Sequence, residues 1–263
     1  MSMEKMAEVT IESIAKEGYK DIIHPSAESI GAIISLPFRS ARIAFRPIEN
    51  WIINKEESLG IVAKAVDEKM AKIPPEKQCE PEAHIAIPLI NQICICQDSN
   101  ELRDIYANLL VASMNKDTKN YVLPAFTSVI GQLTPDEARI LKYLGEKMSI
   151  PTLEIRAYDK NNENEYGIIA KNYINIDEIK VDIIDNCEVY IDNLSRLKIV
   201  DCNFSVQLAN NKLYEELIDN ANKREWEIEK RKIQYFRGII SLTNFGQMFY
   251  NICLSDDNLQ VKE

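Results

Sequence analysis

Histidine and glycine are scarce in this chain: His24 and His84 are the two histidines, and eight glycines are spread over 263 residues. Acid–base and metal chemistry need partners at fixed geometry, and neither histidine has a Cys, His or Glu at ligand spacing. Both read as structural or surface residues. So few glycines leave little for a phosphate-cradling loop, and no G-x-S-x-G, G-x-x-x-x-G-K-S/T or G-x-G-x-x-G occurs. Long apolar runs are missing too. The longest, Ile30 to Phe38, is about half of the roughly 18 residues a spanning helix requires, and it holds Gly31, Ser35 and Pro37. Bases are the minority, 31 against 41 acids, for a net charge of −10 and a pI near 5.0. Such a surface repels phosphate backbones, so nucleic acid is not an expected partner.

Cysteine is present but thinly spread, as Cys79, Cys94, Cys96, Cys187, Cys202 and Cys253. Cys94-Ile95-Cys96 is C-x-C among apolar neighbours, not the C-x-x-C of redox or zinc sites, and reads as two packed thiols. The first residues, MSMEKMAEVTIESIAKEG, lack the basic and apolar regions of a signal peptide. A cytoplasmic, reducing compartment with free thiols is the expectation. No nucleophile–base pair, metal cluster or cofactor-binding pattern emerges, and the abundant carboxylates read as solvated helix faces.

What the chain does contain is helical patterning punctuated by proline. Hydrophobic residues at 46% and charged residues at 27% are those of an ordinary globular protein. A first helix is expected over about Met3 to Lys20. Another starts near Ile48 and carries Ile52, Leu59, Val62, Val66 and Ile73 at roughly helical spacing until Pro74 and Pro75 end it. A polar, proline-rich connector follows, near 74–82. Asp98 stands three residues before Glu101, an Asp form of the capping box, ahead of a stripe of Leu102, Ile105, Tyr106, Leu109 and Leu110. Pro124 opens a short helix that ends near Gly131. Thr134-Pro135-Asp136-Glu137 is the clearest local signal: a cap, a proline fit for the first helical position, and a glutamate that reaches back to the cap N–H.

Beyond that helix, Tyr158 to Tyr166 reads as a polar loop. A helix is expected over Asn186 to Leu197, a strand start at Ile199-Val200, a charged helix over 209–232 with a Glu227–Arg231 pair, a strand over Ile233 to Leu242, and a last helix capped by Thr243. The order helix, helix, helix, strand, strand after residue 134 suggests a winged-helix-like domain. The fold class is therefore mainly α with a small β component, α+β. The expected organisation is a helical N-terminal domain over 1–132, a winged-helix-like domain over 133–255 with an inserted helix near 207–232, and a tail over 256–263. The segment that would read DNA, Asp177 to Asp201, holds seven acids against three bases, a net −4. A groove-reading helix needs Arg or Lys, so this one is expected to pack against protein.

One stretch departs from the acidic background. No acid lies between Glu28 and Glu49, while Arg39, Arg42 and Arg46 recur at helical spacing beside Ile34, Phe38, Ala41 and Phe45. The stripe is a candidate contact for an anionic membrane surface or an acidic partner. The alternative is a core helix whose arginines meet the chain's own surplus carboxylates.

Several runs together are similar to the bacterial abortive-infection alpha family. They are Pro74-Pro75-Glu76, Ile85-Ala86-Ile87-Pro88-Leu89-Ile90, Glu101 through Leu110, Leu123-Pro124-Ala125-Phe126 and Gln132 through Ala138. Leu242-Thr243-Asn244-Phe245-Gly246, with Phe249 and Cys253 after it, resembles the family's C-terminal signature. These are capping, packing and turn motifs, so they identify a fold rather than a chemistry. The family often carries a histidine where this chain has Leu123, so no function is assigned there. The resemblance implies a bacterial phage-defence protein and supplies no catalytic residues. It leaves two readings: a non-enzymatic defence protein acting through protein or membrane-surface contacts, or a regulatory protein–protein interaction module with a degenerate winged helix. A protein partner is expected on either, and a homo-oligomer is compatible with the sequence.

Overall fold

The structure is a computed structural model that describes residues 49–93, 99–159, 165–224, 226 and 231–255, the side chains of 49–59 and 185 excepted. The helix expected over Met3 to Lys20, the stripe of Arg39, Arg42 and Arg46, His24, Cys94, Cys96, Asp98, Glu227 and the tail over 256–263 lie outside the described residues. Among those described, the fold is α+β, as its patterning implied: eight α-helices and a four-stranded antiparallel sheet. The chain divides into two compact units, one holding the described residues up to Gln132 and the other running Leu133–Ser255.

The first unit is helical: α1 (Glu49–Met70), α2 (Ala83–Ile93), α3 (Asn100–Ser113) and α4 (Pro124–Ile130). Its centre is α3, against which α1, α2 and α4 all pack. The stripe read from the sequence is buried, but so are Ala107, Asn108, Val111, Ala112 and Ser113, because neighbours close on α3 from several sides. The cap of α3 is Ser99, whose Oγ accepts from Leu102 N at 3.2 Å. That corrects the expected Asp98 box: the helix begins at Asn100, so Ser99 is the residue within reach of an orphan N–H two or three positions on. The proline-rich connector is stitched down. Cys79 N donates to Met114 O at 2.9 Å and Lys116 N to Lys77 O at 2.8 Å, which ties the connector to the end of α3.

The second unit opens with α5 (Pro135–Lys147), whose capping box forms as read: Glu137 N donates to Thr134 Oγ1 at 3.2 Å and Thr134 N to Glu137 Oε2 at 2.6 Å. Then come β1 (Ser149–Asp159), β2 (Tyr166–Tyr173), α6 (Cys187–Arg196), β3 (Val200–Asn203), α7 (Asn211–Asn222), β4 (Arg231–Leu242) and α8 (Asn244–Cys253). The element order differs from expectation, since a strand hairpin follows α5 where only a polar loop over Tyr158 to Tyr166 was read. The physical signal is the alternation of Leu153, Ile155 and Ala157 with Glu154, Arg156 and Tyr158, a period of two that turns one set to each face. The polar run after Tyr158 joins two strands, and Asp159 N donates to Glu165 O at its mouth.

The sheet order is β2-β1-β4-β3, antiparallel throughout. Strands β3 and β4 carry the expected inserted helix between them. It spans Asn211–Asn222 and not 209–232, because Arg231 and Lys232 are drawn into β4 opposite Asp159 and Tyr158. Asn210 caps it by accepting from Lys212 N at 3.2 Å. Tyr214, Leu217 and Ala221 of α7 pack on Leu153, Ile155, Ala170 and Tyr173, so the insertion supplies one wall of the core.

Candidate functional site

Helix α6 lies between β2 and β3 and leads into the β3–β4 pair. Its position is set by two acids at the start of α5. The Asp136 carboxylate is 4% exposed and accepts four groups. These are Asp182 N at 2.8 Å, Ile183 N at 3.1 Å, Tyr190 Oη at 3.0 Å and Arg139 Nη1 at 2.7 Å. Glu137, 1% exposed, uses its second oxygen to accept from Asn193 Nδ2 at 2.6 Å. The two carboxylates thus clamp α6 and the turn before it onto α5. Burial alone would raise the Asp136 pKa, but the Asp182 and Ile183 amides, the Tyr190 hydroxyl and Arg139 outweigh it and hold the carboxyl below its ordinary value.

With Tyr190, Ile191 and Leu194 turned inward, α6 offers a different face to solvent. Ile183, Ile184 and Val189 are 53%, 47% and 63% exposed, three apolar side chains on one short stretch of chain. Acids surround them. Asp182, paired with Arg139 at 2.9 Å, and Asp192 are exposed, and Glu188 is half-buried, its pKa held up by burial against a hydrogen bond from the Lys171 backbone, with Asp192 adding to the rise. An acidic surface with an apolar centre suits a protein partner with a basic rim and repels a phosphate backbone.

His84, read as a surface residue, is on the surface of α2, and its Nδ1 lies 3.3 Å from Glu82 Oε2. That carboxylate is the one polar neighbour the spacing argument overlooked, because two residues apart in an extended lead-in can still meet. Among the described residues, no group of three or more His, Cys, Asp and Glu side chains could hold a metal, and no helix is long and apolar enough to cross a membrane. A cleft of about 190 Å³ lies beside Tyr143, Lys147 and Glu178. Ligand pockets run from roughly 300 Å³ upward.

Among the described residues, Cys79, Cys187, Cys202 and Cys253 form no disulfide. Burial, aided by Asp201 and Asp192, pushes Cys202 up to about 11, and full burial pushes Cys253 well above the ordinary thiol range. The thiolate is the reactive form. At pH 8 native Cys202 and Cys253 are therefore expected to label with iodoacetamide at least about tenfold more slowly than in urea. Equal rates in the two conditions would remove the burial argument.

Sequence reasoning found Glu137 through its capping box and missed Asp136, three of whose four partners lie 46 to 54 residues away. It also passed over Ile183, Ile184 and Val189, which look like ordinary core residues until their exposure is known.

The family model described as abortive infection alpha matches residues 54–253. No curated protein matches the chain. One solved structure, an uncharacterized protein from the hydrocarbon-degrading marine bacterium Alcanivorax borkumensis SK2, is similar over 50% of this chain and 96% of its own, at 16% identity and a TM-score of 0.32.

Proposed function

We propose that this chain, which belongs to the abortive infection alpha family, serves bacterial anti-phage defence by binding a protein partner rather than by catalysing a reaction. Family membership supports the defence role. The observation that carries the mode of action is the exposed Ile183, Ile184 and Val189 within an acidic surround, on the element clamped by Asp136 and Glu137. Apolar side chains held on a rigid element are the usual anchors of a protein interface, and their truncation removes about 2 kcal/mol each at hot spots. The acids around them select for a partner with Lys or Arg on its rim.

The regulatory-module alternative draws on the same acidic helix in the recognition position and differs only in role. The membrane-surface arm belongs to Arg39, Arg42 and Arg46, and a liposome assay with these changed to Gln addresses it separately.

The test is phage plating on a host carrying the chain or its Ile184→Asp, Val189→Asp variant. Both positions are solvent-exposed, so stability should move by no more than roughly 0.5 kcal/mol per site. Protection is expected to fall sharply, in step with at least a thirtyfold loss of partner affinity for about 2 kcal/mol. His84→Ala should protect normally. Full protection by the double variant would exclude this surface, and absence of protection by the wild type across a broad phage panel would favour the regulatory module.

A further inference from the structure

Strand β4 is paired on one side along its length and on the other side only at its end. Opposite β1 it runs in unbroken register from Ser241↔Ser149 to Arg231↔Asp159. Opposite β3 it is paired only from Leu242↔Val200 to Ile239↔Asn203. Among the described strands, none lies beside Arg231 to Gly238 on that second side.

The sequence explains why β3 stops. Asn203 Oδ1 accepts from Ser205 N at 2.8 Å, a turn that diverts the chain. Phe204 then lies on Gly238, where an added Cβ would stand 2.6 Å from the Phe204 ring and 2.9 Å from Asn203 O. The chain leaves the sheet at that point and returns as α7.

The direction of the exposed backbone groups follows from one hydrogen bond. Thr243 N donates to Ile199 O at 2.9 Å, so Thr243 and, by alternation, Ser241 and Ile239 turn toward β3 while Gly238 turns toward β1. An antiparallel ladder alternates strictly, and the β1–β4 register has no shift. Arg237, Tyr235 and Ile233 therefore turn their backbone N–H and C=O to the same open edge as Ile239, beyond the end of β3, with no strand opposite them among the described residues. A cleft of about 420 Å³ lies at this edge, lined by Phe204, Gln207, Phe236, Arg156 and Arg237 among others.

The charge of the edge selects its occupant. Arg231-Lys232-Ile233-Gln234-Tyr235-Phe236-Arg237 carries three bases and no acid in a chain of net charge −10. Arg156 is neutralised by Glu154 at 2.5 Å and lies over the Phe236 ring. Arg237 has neutral company, Asn211 Oδ1 at 3.2 Å and the Tyr214 ring. Charges on an edge strand also guard against aggregation, which is the bland account of Arg231 and Lys232. A guard needs no cleft, no aromatic floor and no pair of unpaired peptide units aligned with it.

We propose that the open edge of β4 between Gln234 and Gly238 takes up an extended acidic segment of a partner protein as an added strand. The segment's backbone completes the ladder at Tyr235 and Arg237. Alternate side chains fall on Phe204 and Phe236 on one face and reach Arg237 on the other. The surface is separate from the α6 face and does not depend on the defence role.

The probes are two end-blocked ten-residue peptides, alternating Glu-Val and alternating Lys-Val, titrated into the full chain and read by fluorescence anisotropy and amide hydrogen exchange. The Glu-Val peptide is expected to bind, to slow exchange within 231–238, and to weaken with added salt; the Lys-Val peptide is not. Tyr235→Pro removes an N–H that faces away from β1 and should abolish binding, whereas Tyr235→Ala, which keeps that N–H, should bind. Arg237→Glu keeps the backbone and should lower Glu-Val affinity about tenfold, 1.4 kcal/mol, while raising that for Lys-Val. Equal binding of both peptides, no binding at millimolar concentration, protection mapped to 183–189 instead, or a second copy of the chain as the only occupant would each overturn the proposal.

Discussion

Asp136→Ala is expected to destabilise the Leu133–Ser255 unit by about 3 kcal/mol, with a fall of roughly 10 °C in Tm. The substitution leaves the amides of Asp182 and Ile183, the buried Tyr190 hydroxyl and Arg139 without the acceptor they share. Leaving a buried donor unmatched costs about 1–3 kcal/mol, and more than one is stranded here. Asp136→Asn keeps the shape but loses the charge and one of the acceptor oxygens, so it should fall between the two.

The pH dependence follows from the sign of the Asp136 shift. Its folded pKa lies below the ordinary 3.8, so the stabilisation is fully present above the unfolded value. It is lost as pH falls through the lower folded value. The gap between wild type and Asp136→Ala in urea unfolding should hold steady from pH 8 to 5 and narrow below about pH 4. A variant within about 2 °C of wild type at pH 7, or a gap that widens in acid, would contradict the clamp.

Gly246→Ala is expected to be worse tolerated than its one methyl suggests. An added Cβ would stand 2.0 Å from Ile199 O and 2.8 Å from Ile199 C, both backbone atoms. Relief by a shift of α8 is blocked, because its start is pinned on the same residues. Thr243 N donates to Ile199 O at 2.9 Å, Thr243 Oγ1 donates to Lys198 O at 2.5 Å, and Gly246 N donates to Thr243 Oγ1 at 2.9 Å. Overpacking typically costs about 1–3 kcal/mol, and displacing pinned backbone puts this site at the upper end.

Gly60→Ala supplies the contrast. Nothing lies within 4 Å of a Cβ at that position in α1, and alanine is the better helix former, so stability should rise by about 0.5–1 kcal/mol. Opposite signs for the same chemical change would tie the Gly246 requirement to close approach. A neutral Gly246→Ala would show that α8 and Ile199 can part.

What was legible in the sequence is what a few neighbouring residues complete among themselves. Thr134 and Glu137 satisfy each other's backbone groups three residues apart, and Thr243 does the same for Gly246. The strand at β4 and the helix inserted before it were readable from their own periods. The α+β class followed from those elements. Strand β1 escaped because Pro151 interrupts its start and leaves the two-residue period only the short run from Leu153 to Tyr158.

The charged run over 209–232 looked helical throughout, since local propensity cannot register that Arg231 and Lys232 will pair with Asp159 and Tyr158. The same limit separates candidate residues from their roles. Glu137 was visible because its first partner is local. Asp136, beside it, has one local partner in Arg139 but otherwise binds groups 46, 47 and 54 residues away, and only the packing of α5 on α6 brings them there. Sequence alone determined the class, the Thr134 and Thr243 caps and the sign of the net charge, which depend on covalent neighbours and composition. Tertiary structure decided which apolar residues stay outside, which glycine tolerates no methyl, and which strand edge is left open. Each of these depends on atoms distant in the chain that packing brings within a few ångströms.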